Sequence, residues 1–226
     1  MKRSEINLLI HEALTFMDEM KFHLPGWATW KPDQWRKERE NCEEIFTNQL
    51  GWDLTDFGSG NFENTGLLLF SIRNGHPDSD HKQYAEKIMI VDEGQVTPMH
   101  FHWKKTEDII NRGGGNLCME IYPSDSEGKL AEGTLVLSRD GVKTCVQAGD
   151  KIILRPGESI TLEPRVFHKF YGEAGKGRTL VGEVSSVNDD HTDNWFLEQV
   201  GRFPDIEEDV APTHLLVNDY SNLILG

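Results

Sequence analysis

A long series of short apolar segments, beginning after Gly66, is the feature that most restricts how this chain can fold. The segments are rich in Leu, Ile and Val, and they are separated by Gly, Pro, Asn and Asp, which favour turns. The predicted strands cover residues 67–72, 86–91, 116–122, 134–137, 144–147, 151–154, 159–162, 169–171 and 179–187. Many short strands at such intervals are typical of an antiparallel sandwich or barrel. Because long helical patterns do not alternate with them, a parallel α/β sheet is disfavoured.

The first quarter of the chain has helical periodicity instead. Apolar residues recur at three- and four-residue spacing over residues 6–17, and Ser4 is placed to cap this helix. The Leu-Pro-Gly stretch at 24–26 ends the pattern. A second helical segment is predicted to begin at Pro32 and to end at Gly51. Its inward-facing residues are expected to be Trp35, Cys42, Ile45 and Phe46.

Length and charge restrict the class of protein. A chain of 226 residues suits one domain with a modest extension. We expect residues 1–60 to form a helical extension packed on a β-barrel of residues 61–226, with loops from about Asn188 wrapping the barrel. The net charge of −15 repels nucleic-acid phosphates and anionic lipids. Neither nucleic acid nor membrane is therefore an expected partner.

The cysteines and the first residues both favour the cytoplasm, which is a reducing compartment. Cys42, Cys118 and Cys145 are widely spaced and form no C-x-x-C pair, which argues against a disulfide framework. No apolar run approaches membrane-spanning length, and residues 1–5 lead into an amphipathic pattern rather than an apolar signal segment. We therefore expect a cytoplasmic protein.

The segment 98–107 carries the most chemical information. Residues two apart in a strand face the same side, so His100 and His102 can present two imidazoles to one point. Glu107 would face the opposite side of an uninterrupted strand. A turn or bulge between Trp103 and Thr106 is therefore needed for Glu107 to join the histidines.

A third histidine can reach the same point from later in the chain. Residues 149–157 resemble a strand leading into a Pro-Gly turn, and residues 162–168 return to His168. A hairpin of this length can place His168 beside the first histidine pair. Three imidazoles and the Glu107 carboxylate suit a first-row divalent cation and leave positions for water or substrate. The other histidines are expected to be surface or packing residues: His11, His23, His76, His81, His191 and His214.

The two segments resemble the paired motifs of the cupin superfamily. Gly94 opens the first motif, and Gly114 closes it after the two histidines and the glutamate. The second motif departs from the family pattern, because Pro156 comes one residue late and Tyr171 or Gly172 replaces the usual Asn. The resemblance implies a double-stranded β-helix, or jelly-roll, barrel.

More specifically, the chain resembles the D-lyxose isomerases, which are cupin-type sugar ketol-isomerases. The segments that carry this resemblance are residues 1–4, 51–58, 100–115, 155–159, 182–190 and 201–204. The resemblance implies a manganese-dependent isomerase that interconverts D-lyxose and D-xylulose, and D-mannose and D-fructose. Co²⁺, Fe²⁺, Ni²⁺ or Zn²⁺ would also suit these ligands. Members of the family are usually dimeric, so we expect a homodimer that acts on a monosaccharide.

Such an isomerisation moves a proton between C1 and C2 through a cis-enediol, and it needs a base and a means of stabilising the enediolate oxygens. Four ligands on a six-coordinate cation leave two cis positions for those oxygens. Lys105 could share the inward face of Glu107, and burial beside a cation would lower its pKa to a useful range. A solvated hairpin lysine is the alternative. Glu183 lies on a late strand whose Val181 and Val184 resemble buried residues, so an inward-facing Glu183 would be costly without a partner or a function.

Polar residues near the end of the chain could contact the sugar. Asp189 and Asp190 lie in a loop that could close over the site, or they could simply cap the end of a strand. Arg112 and Arg202 could orient hydroxyl groups, although either could instead be a surface cation.

Two other functions fit the same ligand set. An iron-dependent cupin dioxygenase would consume oxygen, whereas an isomerase would not. A sugar-binding or seed-storage cupin would have a structural metal or none, and storage relatives often lose ligands that this chain keeps. A hydride-shift isomerase is a mechanistic variant that would retain the substrate hydrogen, whereas proton transfer would introduce solvent deuterium.

Overall fold

The computed structural model describes residues 1–76, 81–190, 192–202 and 204–221. The helices are α1 (Arg3–Glu19), α2 (Pro32–Glu38) and α3 (Glu43–Thr47), with short 3₁₀ helices at Gly26–Thr29, Arg39–Asn41 and Val217–Asp219. The strands are β1 (Gly51–Thr55), β2 (Leu67–Arg73), β3 (Ala85–Val91), β4 (Val96–His102), β5 (Glu107–Gly114), β6 (Leu117–Pro123), β7 (Thr134–Arg139), β8 (Val142–Gln147), β9 (Lys151–Leu154), β10 (Ser159–Leu162), β11 (Val166–Gly172), β12 (Thr179–Ser185) and β13 (Asn194–Phe196).

In the described part of the chain these strands form two antiparallel sheets. The larger sheet has the order β1-β2-β3-β12-β5-β10-β7-β8, and the smaller has the order β13-β4-β11-β6-β9. The chain passes repeatedly from one sheet to the other, as in a jelly-roll barrel. The predicted fold class is confirmed: a mainly β cupin barrel preceded by helices.

Strand alternation builds two apolar layers from the larger sheet. One face of β2 and β3 lies inside the barrel, where Leu67, Leu69 and Met89 join the core between the sheets. The other face is covered by α1. Its buried residues Ile6, Ile10, Ala13 and Met17 pack against Leu68, Phe70, Ile88 and Ile90. Burial on both faces explains why β2 and β3 are nearly continuous apolar runs.

The helical segment differs from the prediction at its boundaries. Lys2, not Ser4, is the N-cap of α1, and the Ser4 hydroxyl donates to the Asp209 carboxylate. The second predicted helix is divided into α2, a 3₁₀ turn and α3. Gly51 does not close that helix. It begins β1 with a φ of 123°, and a Cβ there would lie 2.3 Å from the Tyr220 hydroxyl oxygen.

The later strands also differ in part from the prediction. β5 was not predicted, and β13 lies in the tail that was expected to form only loops. β13 is held by pairing with β4, in which Asn194 lies opposite His102 and Phe196 opposite His100. Among the described residues, no helix combines the length and the apolar composition needed to cross a membrane.

Candidate metal centre and active site

Three histidines meet inside the barrel on two neighbouring strands of the smaller sheet. His100 and His102 face inward from β4, and β11 places His168 directly opposite His100. One ring nitrogen from each histidine lies within 4.8 Å of the others. All three residues are buried. The two-residue spacing therefore brings the imidazoles to one point, as predicted.

The chain does not reach His168 through the predicted hairpin. β9 belongs to the smaller sheet and β10 to the larger one, so residues 155–158 carry the chain across the barrel. Residues 163–165 bring it back to β11. His168 is therefore placed by the pairing of β11 with β4, two strands that are distant in sequence, and not by a local hairpin.

Glu107 approaches the histidines from the larger sheet. β4 ends at His102 and β5 begins at Glu107, so residues 103–106 form the turn that the spacing requires. Glu107 Oε1 lies 3.1 Å from His168 Nε2 and 3.4 Å from His102 Nε2. The carboxylate and the imidazoles therefore face one another.

Backbone carbonyls fix the tautomers of two histidines. His100 Nδ1 donates to the Pro98 carbonyl at 2.8 Å, and His168 Nδ1 donates to the Val166 carbonyl at 3.0 Å. A carbonyl oxygen only accepts, so Nδ1 carries the hydrogen and Nε2 keeps its lone pair in the neutral ring. Burial lowers the pKa of His100 well below its usual range and also lowers the pKa of His102. The His100 and His102 rings are consequently neutral at physiological pH.

The Glu107 carboxylate contributes negative charge to the same point. Burial opposes its ionisation, but the nearby Lys105 ammonium and the His102 and His168 rings lower its pKa well below the usual range. Among the described residues, buried Glu107 Oε1 and His102 Nδ1 have no hydrogen-bond partner. A carboxylate oxygen and imidazole lone pairs thus converge on one point, which is an arrangement that a divalent cation satisfies.

Lys105 lies inside the barrel and not at a solvated hairpin. It is 3% exposed. Its Nζ lies 2.8 Å from Glu107 Oε2 and 2.8 Å from Glu183 Oε1. The lowering of the Lys105 pKa that was expected beside a bound cation stays a prediction. Burial alone would lower the pKa of Lys105, but the charges of Glu107 and Glu183 raise it above its ordinary value.

Glu183 faces inward, and of the two valines expected to be buried beside it only Val181 is. Val181 is buried on the same face of β12, whereas Val184 is 41% exposed on the opposite face. Burial raises the pKa of Glu183, but Lys105 and Lys87 outweigh it and the net pKa is lowered, so the carboxylate is ionised. Its Oε1 accepts hydrogen bonds from Lys105 Nζ and from Ser185 Oγ, at 2.8 Å and 3.2 Å.

Asp190 and Arg202 meet at the mouth of the cavity. Arg202 Nη2 lies 2.9 Å from Asp190 Oδ2 and 2.8 Å from Asp53 Oδ2 on β1. Burial opposes ionisation of Asp190, but Lys87 and Arg202 lower its pKa well below the ordinary value. The neighbouring Asp189 accepts from the Thr192 backbone N–H at 3.1 Å, so it caps a turn.

The remaining sequence predictions concern Arg112 and two residues outside the described part of the chain. Arg112 is exposed on the outer side of β5 and does not line the cavity. His191 and Phe203, which belong to the segments used for the family resemblance and the histidine survey, lie outside the described residues.

These groups line a cavity of about 270 Å³. The residues around it are Thr55, Phe57, Leu67, Leu69, Lys87, Met89, Thr97, His100, His102, Lys105, Glu107, Ile109, His168, Phe170, Glu183, Asp190, Asn194, Phe196, Val200, Gly201 and Arg202. The Phe196 ring stacks on the His100 ring with centroids 5.2 Å apart. A small polar molecule would therefore contact charged groups on one side and aromatic and aliphatic walls on the other.

Sequence reasoning missed several of these residues. Phe57, Phe196, Lys87 and Asp53 were not predicted to lie at the site. The alternation of Lys87 with Met89 and Val91 on β3 is a signal that could have found Lys87, because all three face inward.

Comparison with known proteins gives the same family across the chain. The family model for D-lyxose isomerase matches residues 1–220. The D-lyxose/D-mannose isomerase of Serratia proteamaculans is 47% identical over 227 residues, covering 99% of this chain and 100% of that relative. The D-lyxose/D-mannose isomerase of Escherichia coli O157:H7 is 48% identical over 223 residues, covering 97% of this chain and 98% of that relative.

A solved structure shows the same fold at lower identity. L-ribose isomerase from Cellulomonas parahominis has a TM-score of 0.63 and 17% identity, covering 92% of this chain and 98% of that chain. At this identity the likeness establishes the fold alone. The match of the family model over nearly the whole chain, and the identity to full-length relatives, establish the family. The chain belongs to the D-lyxose isomerase family.

Proposed function

We propose that this protein is a metal-dependent aldose–ketose isomerase, which interconverts D-lyxose with D-xylulose and D-mannose with D-fructose. The substrates follow from the names of relatives that match nearly its whole length. One observation carries the chemistry: imidazole Nε2 atoms and Glu107 Oε1 converge within a buried cavity that also holds the Lys105–Glu183 ion pair.

His100, His102, Glu107 and His168 would hold the cation. The fit is supported by the fixed tautomers of His100 and His168 and by the unpartnered Glu107 Oε1. Mn²⁺ is the proposed ion, and this mixed nitrogen and oxygen donor set also accepts other first-row divalent ions. When bound, such a cation would polarise the substrate carbonyl and stabilise negative charge on its oxygen.

Glu183 would move the proton between the two carbon atoms. Its Oε1 is held by Lys105 and Ser185, and no hydrogen bond to Oε2 is found among the residues that the structure describes. In the aldose-to-ketose direction, ionised Glu183 removes the C2 proton, and the C1 carbonyl becomes an enediolate oxygen. Protonated Glu183 then returns the proton to C1 while C2–O becomes the carbonyl.

Lys105 would serve the oxygen atoms. The ammonium is a donor with no acceptor capacity, and it lies beside both Glu107 and Glu183. It can therefore hydrogen-bond to the oxygen that gains negative charge, and it can give a proton to O1 and then take the O2 hydroxyl proton in return as the carbonyl moves. Asp190 and Arg202, at the mouth of the cavity, are proposed to bind the remaining hydroxyl groups.

The test is a ketose assay on metal-stripped protein, made with and without added Mn²⁺ under anaerobic conditions. We expect no isomerisation without metal, ketose formation from D-lyxose and D-mannose with Mn²⁺, and deuterium from solvent at C1 or C2 of the product. Full activity after stripping, or no ketose with any of the divalent ions, would contradict the proposal. Complete retention of the substrate hydrogen would instead indicate a hydride shift. The homodimeric state and the cytoplasmic location stay predictions.

A further inference from the structure

Lys87 is a second ammonium group beside the proposed base, in addition to Lys105. It faces Glu183 directly across the β3–β12 ladder, and it is buried. Its Nζ lies 3.7 Å from Glu183 Oε1 and 3.8 Å from Asp190 Oδ1. Lys105 Nζ lies 2.8 Å from the same Glu183 oxygen. Two ammonium groups therefore flank one oxygen of the carboxylate.

Asn188 joins the two lysines. Its Oδ1 accepts from Lys87 Nζ at 2.6 Å and from Lys105 Nζ at 3.4 Å. Two ammonium groups this close repel each other, and a shared amide oxygen offsets part of that repulsion. Asn188 Nδ2 donates to Asp190 Oδ1 at 2.8 Å, so the amide is used at both ends.

Asn188 is itself fixed from outside the cavity by Asn74. Asn74 Oδ1 accepts from the Asn188 backbone N–H at 3.0 Å, and Asn74 Nδ2 donates to the Asn188 carbonyl at 3.0 Å. The side chain of Asn74 thus pairs with both backbone groups of one loop residue. This pairing sets the direction in which the Asn188 side chain leaves the loop.

We propose that Lys87 and Asn188 are positioning residues that together hold Glu183 and Lys105 in register. The inference rests on the proposed function, since Glu183 and Lys105 are the groups it assigns to proton transfer. Because both lysines contact Oε1 of Glu183, rotation of the carboxylate is restricted and Oε2 is left for the cavity that Glu183 lines. Displacing a catalytic group by roughly 1 Å can lower the reaction rate by about 10²-fold.

The test compares Lys87→Met, Asn188→Leu, the double variant and Lys87→Arg with the wild type, all loaded with Mn²⁺ and assayed with D-lyxose. We expect each single variant to lower kcat by about 10²-fold. We expect KM to change much less than kcat in each single variant. Asn188→Leu also loses its hydrogen bond to Asp190, which is proposed to bind substrate hydroxyl groups, so its KM should rise more than that of Lys87→Met. The double variant should be no worse than the poorer single variant by more than about threefold, because both act through one arrangement. Lys87→Arg, which keeps the charge, should recover most of kcat.

Metal affinity and melting temperature separate this role from a merely structural one. The Mn²⁺ affinity of the stripped variants should match that of the wild type. Lys143→Met, which removes an exposed lysine from β8, is the control and should match the wild type in every measurement. A kcat for Lys87→Met within about threefold of wild type, or multiplicative losses in the double variant, would overturn the inference. Equal impairment of Lys87→Arg and Lys87→Met with lost metal binding would also overturn it. If Lys87→Met fails to fold, Asn188→Leu carries the test. An inactive wild type contradicts the proposed function instead.

Discussion

At the scale of single residues, charge and burial assign different tasks to the two carboxylates of the cavity. Glu107 points one oxygen at His102 and His168 and the other at Lys105. Glu183 contacts Lys105 and lies farther along the ion-pair chain, beside Lys87. The first carboxylate is placed to hold a cation and the second to accept a proton, although both are buried and ionised.

Glu183→Gln should abolish proton transfer without affecting metal binding. The amide has the same shape but cannot accept a proton from carbon, so we expect kcat to fall by about 10²- to 10⁴-fold. The measurement is kcat for D-lyxose together with Mn²⁺ affinity. Glu163→Gln, at an exposed carboxylate before β11, is the control and should resemble the wild type. A Glu183→Gln enzyme with wild-type kcat would remove Glu183 from the mechanism.

His214 should make stability depend on pH between its unfolded and folded pKa values. Burial lowers the pKa of His214 from 6.5 to about 4. The unfolded chain therefore binds more protons in this window, and stability falls as pH decreases from 6.5 towards 4. The stability that depends on keeping His214 unprotonated is fully present above the unfolded pKa of 6.5 and amounts to at most about 3 kcal/mol.

Urea unfolding of wild type and His214→Gln at several pH values isolates this contribution. Other buried histidines titrate in both proteins, so the difference between the two curves reports on His214. We expect the variant to lose less stability on acidification. Parallel pH dependences would show that His214 is protonated equally in both states.

The sequence predicts the residues of the site unevenly. His100 and His102 are recognisable because strand alternation places them together, and the family motif identifies Glu107 and His168. Lys87 was missed although it alternates with Met89 and Val91, because a single lysine on a strand usually faces solvent. Its role depends on Glu183 across the ladder, which local spacing does not show. Val184 was misjudged for a different reason: an exposed valine is indistinguishable in sequence from a buried one.

At the scale of elements, the turn between β4 and β5 determines how the two sheets share the site. Asp193 is buried, and its carboxylate accepts from the backbone N–H groups of Lys104 and Lys105 at 2.8 Å and 3.0 Å. These bonds hold the turn while the chain passes from His102 to Glu107. The tail, which was expected from about Asn188 onward only to wrap the barrel as loops, therefore also supports the site through Asp193.

Asp193→Ala should loosen this turn. Removing the carboxylate leaves two backbone N–H groups without that acceptor, which costs about 1–3 kcal/mol. We expect lower stability in urea and weaker Mn²⁺ binding, because Glu107 follows the turn directly. Asp193→Asn keeps one carbonyl oxygen and should lie between Ala and wild type. Unchanged metal affinity in Asp193→Ala would show that the turn is held by other contacts.

The strands themselves were predictable where apolar residues alternate or cluster. β9 and β10 have the predicted bounds, residues 151–154 and 159–162. β5 was missed because its inward positions include Glu107, Asn111 and Gly113, which do not produce an apolar pattern. β13 has three residues and depends on pairing with β4, a contact that no local pattern indicates.

At the scale of the whole molecule, Arg3 connects the two ends of the chain. Arg3 is 1% exposed, and its guanidinium makes paired contacts with the carboxylates of Glu208 and Asp219. Lys2 and Glu207 also form a parallel bridge. The N-terminal helix and the C-terminal tail are thus joined on the side of the barrel that α1 covers.

Arg3→Met should destabilise the protein by roughly 3 kcal/mol, because it leaves the partly buried Asp219 carboxylate without its cation. Urea unfolding measures the change. Arg36→Met is the matched control, since the Arg36–Asp33 pair on α2 has side chains that are 64% and 94% exposed. Its loss should cost less than about 1 kcal/mol. Equal effects of the two substitutions would refute a stabilising role for Arg3.

Three histidines and one glutamate, brought together from both sheets, are proposed to hold a single divalent cation. Calorimetric titration of the stripped protein with Mn²⁺, for wild type and for His168→Ala, measures whether they do. We expect one bound cation per chain in the wild type and affinity at least about 100-fold weaker in the variant, with an unchanged barrel by circular dichroism. Equal Mn²⁺ affinity in His168→Ala and wild type would contradict this proposal.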